Sequence, residues 1–401
     1  MHNIYLVDYK LVGDFFGRFS ATDVSRSHHF ISTVMSVAAH RRNTASTALV
    51  GRLGRSEPEV VPSLARTREV VLGILSERRA ANCFRKVRHE ILAYMEANAL
   101  GPSEVNLMVW NGATVMGEVA RSLRKDVGLR AVFFELSNLP NKVFVDPEGT
   151  NAQSHLFREP SILASYPADR ENFDRWRAEF IRQKRKGSTV PQVAAGRKVG
   201  PHHVVDFIYA VTLGYRAFSW TSVRTKLANA ARRVVRPATK PVIDEAALPS
   251  RYVFFPMQVS KDTQLVLNSD VDNVGALRRL AQTERLPLVV KPHPAEYETA
   301  YISKAIAGLT FNYPPVLTNG NTTALIEGAE KVVTINSTTG LEAIILGLPV
   351  EFLAPSLYAY LNEGNLASYV MEYLVDLNFF DAVDQPVPKS VLEKIYARAL
   401  S

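Results

Sequence analysis

The stretch KVVTINSTTGLEAIILGLPVEFLA, residues 331–354, decides the fold that we predict for this chain. KVVTI is a short apolar run typical of a buried strand, and Asn336 and Ser337 are residue types that begin helices. A helical segment follows, and PVEFLA is again strand-like. Strand, helix and strand in this order are the repeating unit of doubly wound sheets.

The same alternation extends through both halves of the chain. Strand-like runs are NIYLVDY (3–9), NLMVW (106–110), RAVFFEL (130–136), RYVFFPMQV (251–259), PLVV (287–290) and PPVL (314–317). Helical patterns are a long stretch after the first strand to about Leu100, then 113–125, 272–284 and TALIEGA (323–329). We therefore predict an α/β protein with two Rossmann-like domains and an interdomain cleft, with ligands at the carboxyl ends of the strands.

The predicted domains are 1–165, a basic helical linker or insert over 166–245, a second Rossmann-like domain over 246–385, and a C-terminal helix over 386–401. From Arg170 to Lys240 there are 16 Lys and Arg against 4 Asp and Glu. Nucleic acid, anionic lipid and a solvated surface are all candidate explanations. Nucleic acid is the weakest of them, because no zinc-ligand spacing, helix-turn-helix or RNA-binding aromatic pattern accompanies the charge.

Cysteine content and hydropathy indicate the compartment. The chain has one cysteine, Cys83, which excludes an intramolecular disulfide framework and fits a reducing environment. The opening MHNIYLVDYK lacks a signal-peptide apolar region, and no run of 18 uncharged apolar residues occurs. We expect a cytoplasmic protein.

The helix start after KVVTI is the strongest candidate site. Free N–H groups and the positive end of a helix dipole suit a phosphate, and the hydroxyls of Ser337, Thr338 and Thr339 add donors. Gly340 permits close backbone approach, and Glu342 lies one turn further, within reach of a sugar hydroxyl. An ordinary capped strand-to-helix turn explains the same residues equally well.

A second candidate is VVKPHP, residues 289–294, where a strand stops at two prolines. His293 and Ser337 both follow strands of one predicted sheet, so both should face one crevice. A histidine there can donate a proton to a departing phosphate, and Lys291 can neutralise its charge. A structural histidine and a solvated lysine are the alternatives.

Four segments resemble one family, the bacterial capsule polysaccharide biosynthesis proteins that include β-Kdo glycosyltransferases of the KpsS/KpsC type. They are FFELSNLPNKVFVDPEGTNAQS (133–154), FFPMQVSKDTQ (254–264), VVKPHP (289–294) and NSTTGLEAIILGLPV (336–350). The resemblance implies a GT-B fold, with an acceptor-side first domain and a CMP-sugar bound by the second. It further implies transfer of Kdo or a related sugar to a lipid or glycolipid, without cofactor or metal, at the cytoplasmic face of the inner membrane.

The resemblance also directs attention to carboxylates and polar strand ends. Related enzymes place Glu-Asp-Gly where this chain has Glu135, Leu136 and Ser137, so Glu135 becomes the candidate catalytic base or nucleophile beside His293. Asp146 is the second choice, although a DPEG turn explains it without chemistry. Gln258 and Asp262 are expected to contact the donor or cap the next helix. Asn111 is an acceptor-side contact or a helix cap. The His-His pairs at 28–29 and 202–203 lack partners for a metal site.

Two alternatives remain open. One is a UDP-sugar-using GT-B transferase or epimerase, and the other is a non-catalytic capsule-assembly protein with the same fold. We expect no nucleic-acid partner, but other capsule-assembly proteins as candidate partners. For membrane docking, we expect Arg182, Lys184, Arg185 and Lys186 to face anionic lipid, with the aromatic residues Tyr209, Tyr215, Phe218 and Trp220 at the interface. A solvated helical insert is the competing explanation.

Overall fold

The computed structural model describes residues 1–37, 45–52, 60–187, 202–215, 248–260, 263–294, 296 and 300–400. The chain divides into two compact units. The first contains Met1–Ser161, Val190–Val223 and Tyr373–Ser401, and the second contains Ile162–Thr189 and Arg224–Glu372. Each unit has its own sheet with a parallel core of five strands, which confirms the predicted α/β class with two Rossmann-like domains. The cleft of the GT-B prediction stays a prediction.

Strands and helices alternate along most of the described chain. The strands are β1 (His2–Val7), β2 (Ser27–Ser32), β3 (Ser46–Leu49), β4 (Val105–Trp110), β5 (Arg130–Leu136), β6 (Lys142–Asp146), β7 (Val253–Pro256), β8 (Leu288–Lys291), β9 (Val316–Leu317), β10 (Lys331–Thr334), β11 (Val350–Phe352) and β12 (Val375–Asp376). The helices are α1 (Lys10–Thr22), α2 (Arg68–Val71), α3 (Glu77–Ala97), α4 (Val115–Val127), α5 (His155–Arg158), α6 (Arg170–Arg185), α7 (His202–Thr212), α8 (Thr263–Asn268), α9 (Asn273–Thr283), α10 (Ala300–Ala307), α11 (Thr322–Glu327), α12 (Thr338–Ile345) and α13 (Lys389–Arg398).

The two sheets share one strand order. In the first unit β3, β2, β1, β4 and β5 are parallel neighbours. Beyond β5 the sheet continues with β6, which is antiparallel to β5, and with β12, which is antiparallel to β6. In the second unit the order is β9, β8, β7, β10 and β11, all parallel. Both follow the 3-2-1-4-5 pattern of nucleotide-binding folds, whose ligands bind beyond the carboxyl strand ends where the order reverses. These switch points lie between β1 and β4, and between β7 and β10.

The first sheet is buried on both faces. Along β1, Ile4 and Leu6 join a core cluster with residues of α3 and α4. Tyr5 and Val7 point the other way into a cluster with α1 and α13. Because alternate side chains of a strand point to opposite faces, double burial explains why the opening strand is almost continuously apolar.

The prediction of one helical stretch between the first strand and Leu100 is wrong for β2 and β3. SHHFIS carries two histidines, so its composition gives a weak strand signal. The structure buries both: His28 hydrogen-bonds the Tyr5 hydroxyl at 2.8 Å, and the His29 ring stacks on Tyr94. Tertiary partners therefore make this segment a strand.

The domain boundaries differ from the predicted ones at the C-terminal end. Residues 373–385, assigned by sequence to the second domain, belong to the first unit, because β12 pairs with β6 and α13 packs in the first core. The buried Arg18 of α1 donates to the carbonyls of Asn378 and Gln385 and pairs with Asp381 at 3.0 Å. The segment predicted as a linker is also divided, since α6 belongs to the second unit and α7 to the first.

Candidate functional site

At the switch point of the second sheet, two amide side chains join the loops that follow β7 and β10. The Gln258 Nε2 donates to the Asn336 Oδ1 at 3.0 Å, and the Asn336 backbone N–H donates to the Gln258 Oε1 at 3.1 Å. Both residues are buried. The structure thus brings these two predicted donor-binding residues together, with their polar atoms fixing the loops around the site.

The predicted anion site at the start of α12 has the expected local geometry. The Ser337 Oγ caps the helix by accepting from the Thr339 N–H at 3.2 Å, and its hydroxyl donates to the Thr339 Oγ1 at 3.2 Å. The side chains of Ser337, Thr338 and Thr339 are partly exposed. A capped eight-residue helix therefore presents hydroxyls and first-turn N–H groups at the carboxyl edge of the sheet.

The expectation that Gly340 admits close approach of a ligand is corrected by its surroundings. Gly340 is buried, and a Cβ there would lie 2.5 Å from the ring of Phe352 and 3.1 Å from the Thr334 Cγ2. Contacts this short are repulsive. Packing against Phe352 of β11 explains the glycine.

Glu342 lies between two lysines. Its Oε1 is 2.6 Å from the Lys184 Nζ of α6, and both side chains are largely buried. The Lys291 Nζ donates to the Gly320 carbonyl and the Thr322 hydroxyl at 2.6 and 2.7 Å, so Lys291 is held against the start of α11. Burial lowers the pKa of Lys291, and the charge of Glu342 opposes this shift. Glu342 is engaged by Lys184, a partner that the sequence did not indicate.

His293 follows β8 at the carboxyl edge, as predicted, and its side chain is exposed. Its carbonyl accepts from the Glu296 N–H at 2.9 Å, and the Glu296 carboxylate accepts from Ser260 beyond β7. These bonds link the loops after β8 and β7. Asp262, also predicted to contact the donor, lies outside the described residues.

Three of the four cations predicted to face anionic lipid form ion pairs within the second unit. Arg182 pairs with Glu179, Lys184 with Glu342, and Arg185 with Glu327. These three cations are thus engaged with carboxylates of their own unit, which weakens the electrostatic argument built on them.

The aromatic part of the docking prediction also needs correction. Tyr209 and Tyr215 are 7% and 5% exposed, so they are core residues and do not form an interface with lipid. Phe218 and Trp220 lie outside the described residues. No described helix is long and apolar enough to cross a membrane.

In the first unit, Glu135 lies at the carboxyl end of β5. Its Oε1 accepts from the Leu136 N–H at 3.1 Å. Burial, then the charges of Asp8 and Glu135, raise the pKa of the Tyr9 hydroxyl. This predicted catalytic carboxylate therefore faces the carboxyl edge of its sheet.

Asn111 and Asp146 have structural explanations. Asn111 has a φ of 59°, a conformation that asparagine tolerates, and its Oδ1 accepts from the Ala113 N–H. Asp146 is fully buried and accepts four backbone N–H bonds, from Glu148, Gly149, His155 and Leu156, and one bond from the Tyr373 hydroxyl. The turn and cap explanations of these two residues are favoured over acceptor contacts.

The sequence interpretation missed a cavity of about 340 Å³ at the switch point of the first sheet. Its walls include Asp8 and Tyr9 after β1, Thr33 after β2, Arg68 and Glu69 of α2, and Val115 at the start of α4. We call it the Asp8–Glu69 cavity. The sequence position of Asp8 could have identified it as a site residue, because it directly follows the first strand, as His293 and Ser337 follow theirs. Nothing in the sequence indicated Glu69, since it is brought to the site by a four-residue helix, α2.

Two hydrogen bonds hold Glu69 against the start of α4. The Arg68 backbone N–H donates to the Ala113 carbonyl at 2.8 Å, and the Glu69 Oε2 accepts from the Val115 N–H at 3.1 Å. Burial and then the neighbouring charge of Asp8 raise the pKa of Glu69 to about 7, while burial raises the pKa of Asp8 as well. The cavity therefore holds two desolvated carboxylates that influence each other.

Comparison with known proteins gives a family and several relatives. The family model described as "Capsule polysaccharide biosynthesis protein" matches residues 126–362, more than half of the chain. Protein FixF of Sinorhizobium fredii is 27% identical over 261 residues, which are 63% of this chain and 49% of FixF, so the chain spans about half the length of that relative.

Two solved structures from Thermosulfurimonas dismutans are also similar. KpsC described as a beta Kdo 2,7 transferase matches with a TM-score of 0.38 and 15% identity, covering 78% of this chain and 80% of that one. KpsC described as a beta Kdo 2,4 transferase matches with a TM-score of 0.34 and 15% identity, covering 65% and 72%.

Proposed function

Because the chain belongs to the capsule polysaccharide biosynthesis protein family, we propose that it is a glycosyltransferase that moves Kdo or a related sugar from a CMP-activated donor to a lipid or glycolipid acceptor. One observation carries the proposal. The carboxyl edge of the second sheet places the capped start of α12 beside the switch point, on the same edge as Lys291. This arrangement suits the phosphate of a nucleotide-sugar.

The proposed reaction is a glycosyl transfer in which CMP is the leaving group. The acceptor hydroxyl forms the new bond to the anomeric carbon, and the carbon–oxygen bond to phosphate breaks, so that CMP leaves with the bonding electrons. First-turn N–H groups of α12 stabilise the charge that develops on this phosphate, and His293 donates a proton to it. Glu135 supplies the carboxylate, either as a base for the hydroxyl or as a nucleophile at the sugar.

The test is calorimetric titration of CMP into the wild type and the double variant Ser337→Ala/Thr338→Ala. We expect about tenfold or greater weakening, since hydrogen bonds to a charged group are lost. Asp272→Ala is the matched control, because Asp272 caps α9 as Ser337 caps α12, and its loss should leave CMP affinity unchanged. His293→Ala should retain CMP and lose turnover. Unaltered CMP affinity in the double variant would exclude this donor site.

The alternatives are separated by changing the nucleotide. Tighter binding of UDP than of CMP, with UDP release from UDP-sugars, would favour the UDP-dependent transferase or epimerase. Binding of neither nucleotide would favour the non-catalytic assembly protein.

The lipid acceptor leads us to place the protein at the anionic inner-membrane surface, with α7 as the docking element. Five apolar side chains at helical spacing are between 45% and 60% exposed on α7: Val204, Val205, Phe207, Ile208 and Val211. The helix is anchored to the first unit through Asp206, which accepts from the Ser36 N–H and hydroxyl. The sequence on either side, 188–201 and 216–243, contains nine Lys and Arg and no acid. An apolar face flanked by basic sequence suits an anionic bilayer.

Liposome co-sedimentation tests this placement, using phosphatidylcholine vesicles with and without phosphatidylglycerol at low and high salt. Phe207→Ser/Ile208→Ser should reduce binding to the anionic vesicles, whereas Val24→Ser, which removes an exposed apolar side chain elsewhere in the first unit, should not. Equal binding to neutral and anionic vesicles would remove the electrostatic argument.

A further inference from the structure

The Asp8–Glu69 cavity occupies the position where sheets of this order bind ligands. Asp8 and Tyr9 come from the loop after β1, and Val115 and Met116 begin the helix after β4. These strands are the neighbours at which the order of the first sheet reverses. The volume of about 340 Å³ lies within the usual range of small-molecule sites.

The lining selects a class of ligand. Two carboxylates, Asp8 and Glu69, face one guanidinium, that of Arg68, so an anion such as a nucleotide phosphate is disfavoured. Ionised carboxylates only accept hydrogen bonds, and they therefore suit a ligand that offers several hydroxyl donors. Apolar wall residues such as Ile74 and Leu75 suit the C–H faces of a sugar ring.

Helix capping alone does not account for Glu69. The start of α4 already has Thr114, whose hydroxyl accepts from the Gly117 N–H at 3.2 Å. A neutral glutamine would accept from Val115 as Glu69 does. A desolvated carboxylate next to a second carboxylate is unfavourable when both are ionised, so capping alone does not explain an acid at this position.

We propose that the Asp8–Glu69 cavity binds a neutral sugar residue of the acceptor, whose hydroxyls donate to Asp8 and Glu69. The inference rests on the proposed glycosyltransferase function, and it assigns the acceptor to a class that no comparison specifies. Glu135 lies at the carboxyl end of β5, on the same edge of the sheet as this cavity.

The experiment is saturation-transfer-difference NMR on the full chain with the methyl glycosides of glucose, galactose and mannose, and with methyl glucuronide as an anionic comparison. We expect signals from at least one neutral glycoside and weaker ones from the glucuronide. Asp8→Asn/Glu69→Gln should weaken the neutral glycoside about tenfold or more, because hydrogen bonds to charged groups are replaced. Glu96→Gln, which neutralises an exposed carboxylate of α3, should have no effect.

Measuring glycoside binding at several pH values distinguishes a direct contact of Glu69 with the sugar from a purely structural role of this residue. The groups around Glu69 that titrate are Asp8, Tyr9, Arg68, Cys83 and Tyr215. Burial raises the pKa values of the two tyrosines and the cysteine, away from neutral pH. Binding should therefore strengthen as Glu69 ionises through about pH 7, and Glu69→Gln should abolish this dependence.

The outcomes separate the two proposals. CMP binding without any neutral-glycoside signal, or a signal unchanged in Asp8→Asn/Glu69→Gln, overturns the cavity assignment and leaves the donor site intact. Glycoside binding that depends on these two residues, in a protein that does not bind CMP, supports the cavity and overturns the donor proposal. A stronger glucuronide signal than any neutral one also contradicts the assignment.

Discussion

The two sheets have the same strand order but opposite chemistry at their carboxyl edges. The first edge gathers the carboxylates of Asp8, Glu69 and Glu135. The second gathers a capped helix start, partly exposed hydroxyls and Lys291. A parallel sheet thus fixes where a ligand binds, while the few residues after each strand decide which charge that ligand carries.

Under the proposed function, the two edges serve different partners of the transfer. An acidic edge accepts hydrogen bonds from hydroxyls, and a helix start donates them to phosphate. We therefore expect substitutions at the first edge to affect the acceptor, and substitutions at the second to affect the nucleotide.

Glu135→Gln should give the largest effect. The amide keeps the shape of the side chain but has no basicity, so we expect transfer to fall by roughly 10²- to 10⁴-fold. CMP affinity, measured by calorimetry, should be unchanged because the first edge does not hold the nucleotide. Near-normal turnover of this variant would exclude Glu135 as the catalytic carboxylate.

Glu69→Gln should change how stability depends on pH. The pKa of Glu69 is about 7 in the folded protein and 4.5 ordinarily, so the unfolded chain releases this proton first as pH rises. Glu69 therefore lowers the stability of the wild type between about pH 4.5 and pH 7, and the glutamine variant lacks this contribution. Relative to the wild type, the variant should gain up to about 3 kcal/mol between acid and pH 8.

Urea unfolding at several pH values measures this difference. Glu96→Gln is again the control, and its stability difference from the wild type should stay constant with pH. A constant difference for Glu69→Gln would mean that Glu69 has an ordinary environment, and the contrast between the two edges would be weaker.

Gly340→Ala tests whether the second edge uses this glycine for packing or for a ligand. The added methyl meets the Phe352 ring, so we expect a loss of about 1–3 kcal/mol in unfolding free energy. The additional substitution Phe352→Leu should restore part of the unfolding free energy, and the double variant should bind CMP with normal affinity. Persistent loss of CMP binding in the recovered double variant would restore the ligand-approach explanation.

The Lys184–Glu342 pair should give the smallest effect. Its side chains are 14% and 17% exposed, so a double-mutant cycle with Lys184→Met and Glu342→Gln should give a coupling of about 1 kcal/mol. CMP affinity should change little in Glu342→Gln. A large loss of CMP binding without coupling to Lys184 would return Glu342 to its predicted role at the nucleotide.

The sequence predicted those parts of the fold that depend on local pattern. Apolar runs separated by helices of about ten residues located the main strands, and Ser337 was identified as a capping residue. The β2 strand was missed because its histidines are buried by distant partners, Tyr5 and Tyr94. Local composition cannot reveal such contacts.

The residues of the candidate sites also fall into those that the sequence could place and those that depend on tertiary contacts. Residues directly after strands could be placed at an edge from sequence, as His293 and Glu135 were. Glu69 and Lys184 reach their positions through tertiary contacts with Val115 and Glu342, so no spacing in the sequence indicates them. The packing of Gly340 against Phe352 was not predicted for the same reason, because Phe352 comes from a different strand.

The return of residues 373–400 to the first unit has a consequence for synthesis on the ribosome. The second unit interrupts the first, so it can emerge completely while the first still lacks β12 and α13. Until then the β6 edge is open to pairing with other chains, and Arg18 lacks the carbonyls and carboxylate that cover it. The first unit can therefore complete its fold only after the second has emerged, and a chaperone that protects this nascent intermediate would be needed until β12 and α13 are synthesised.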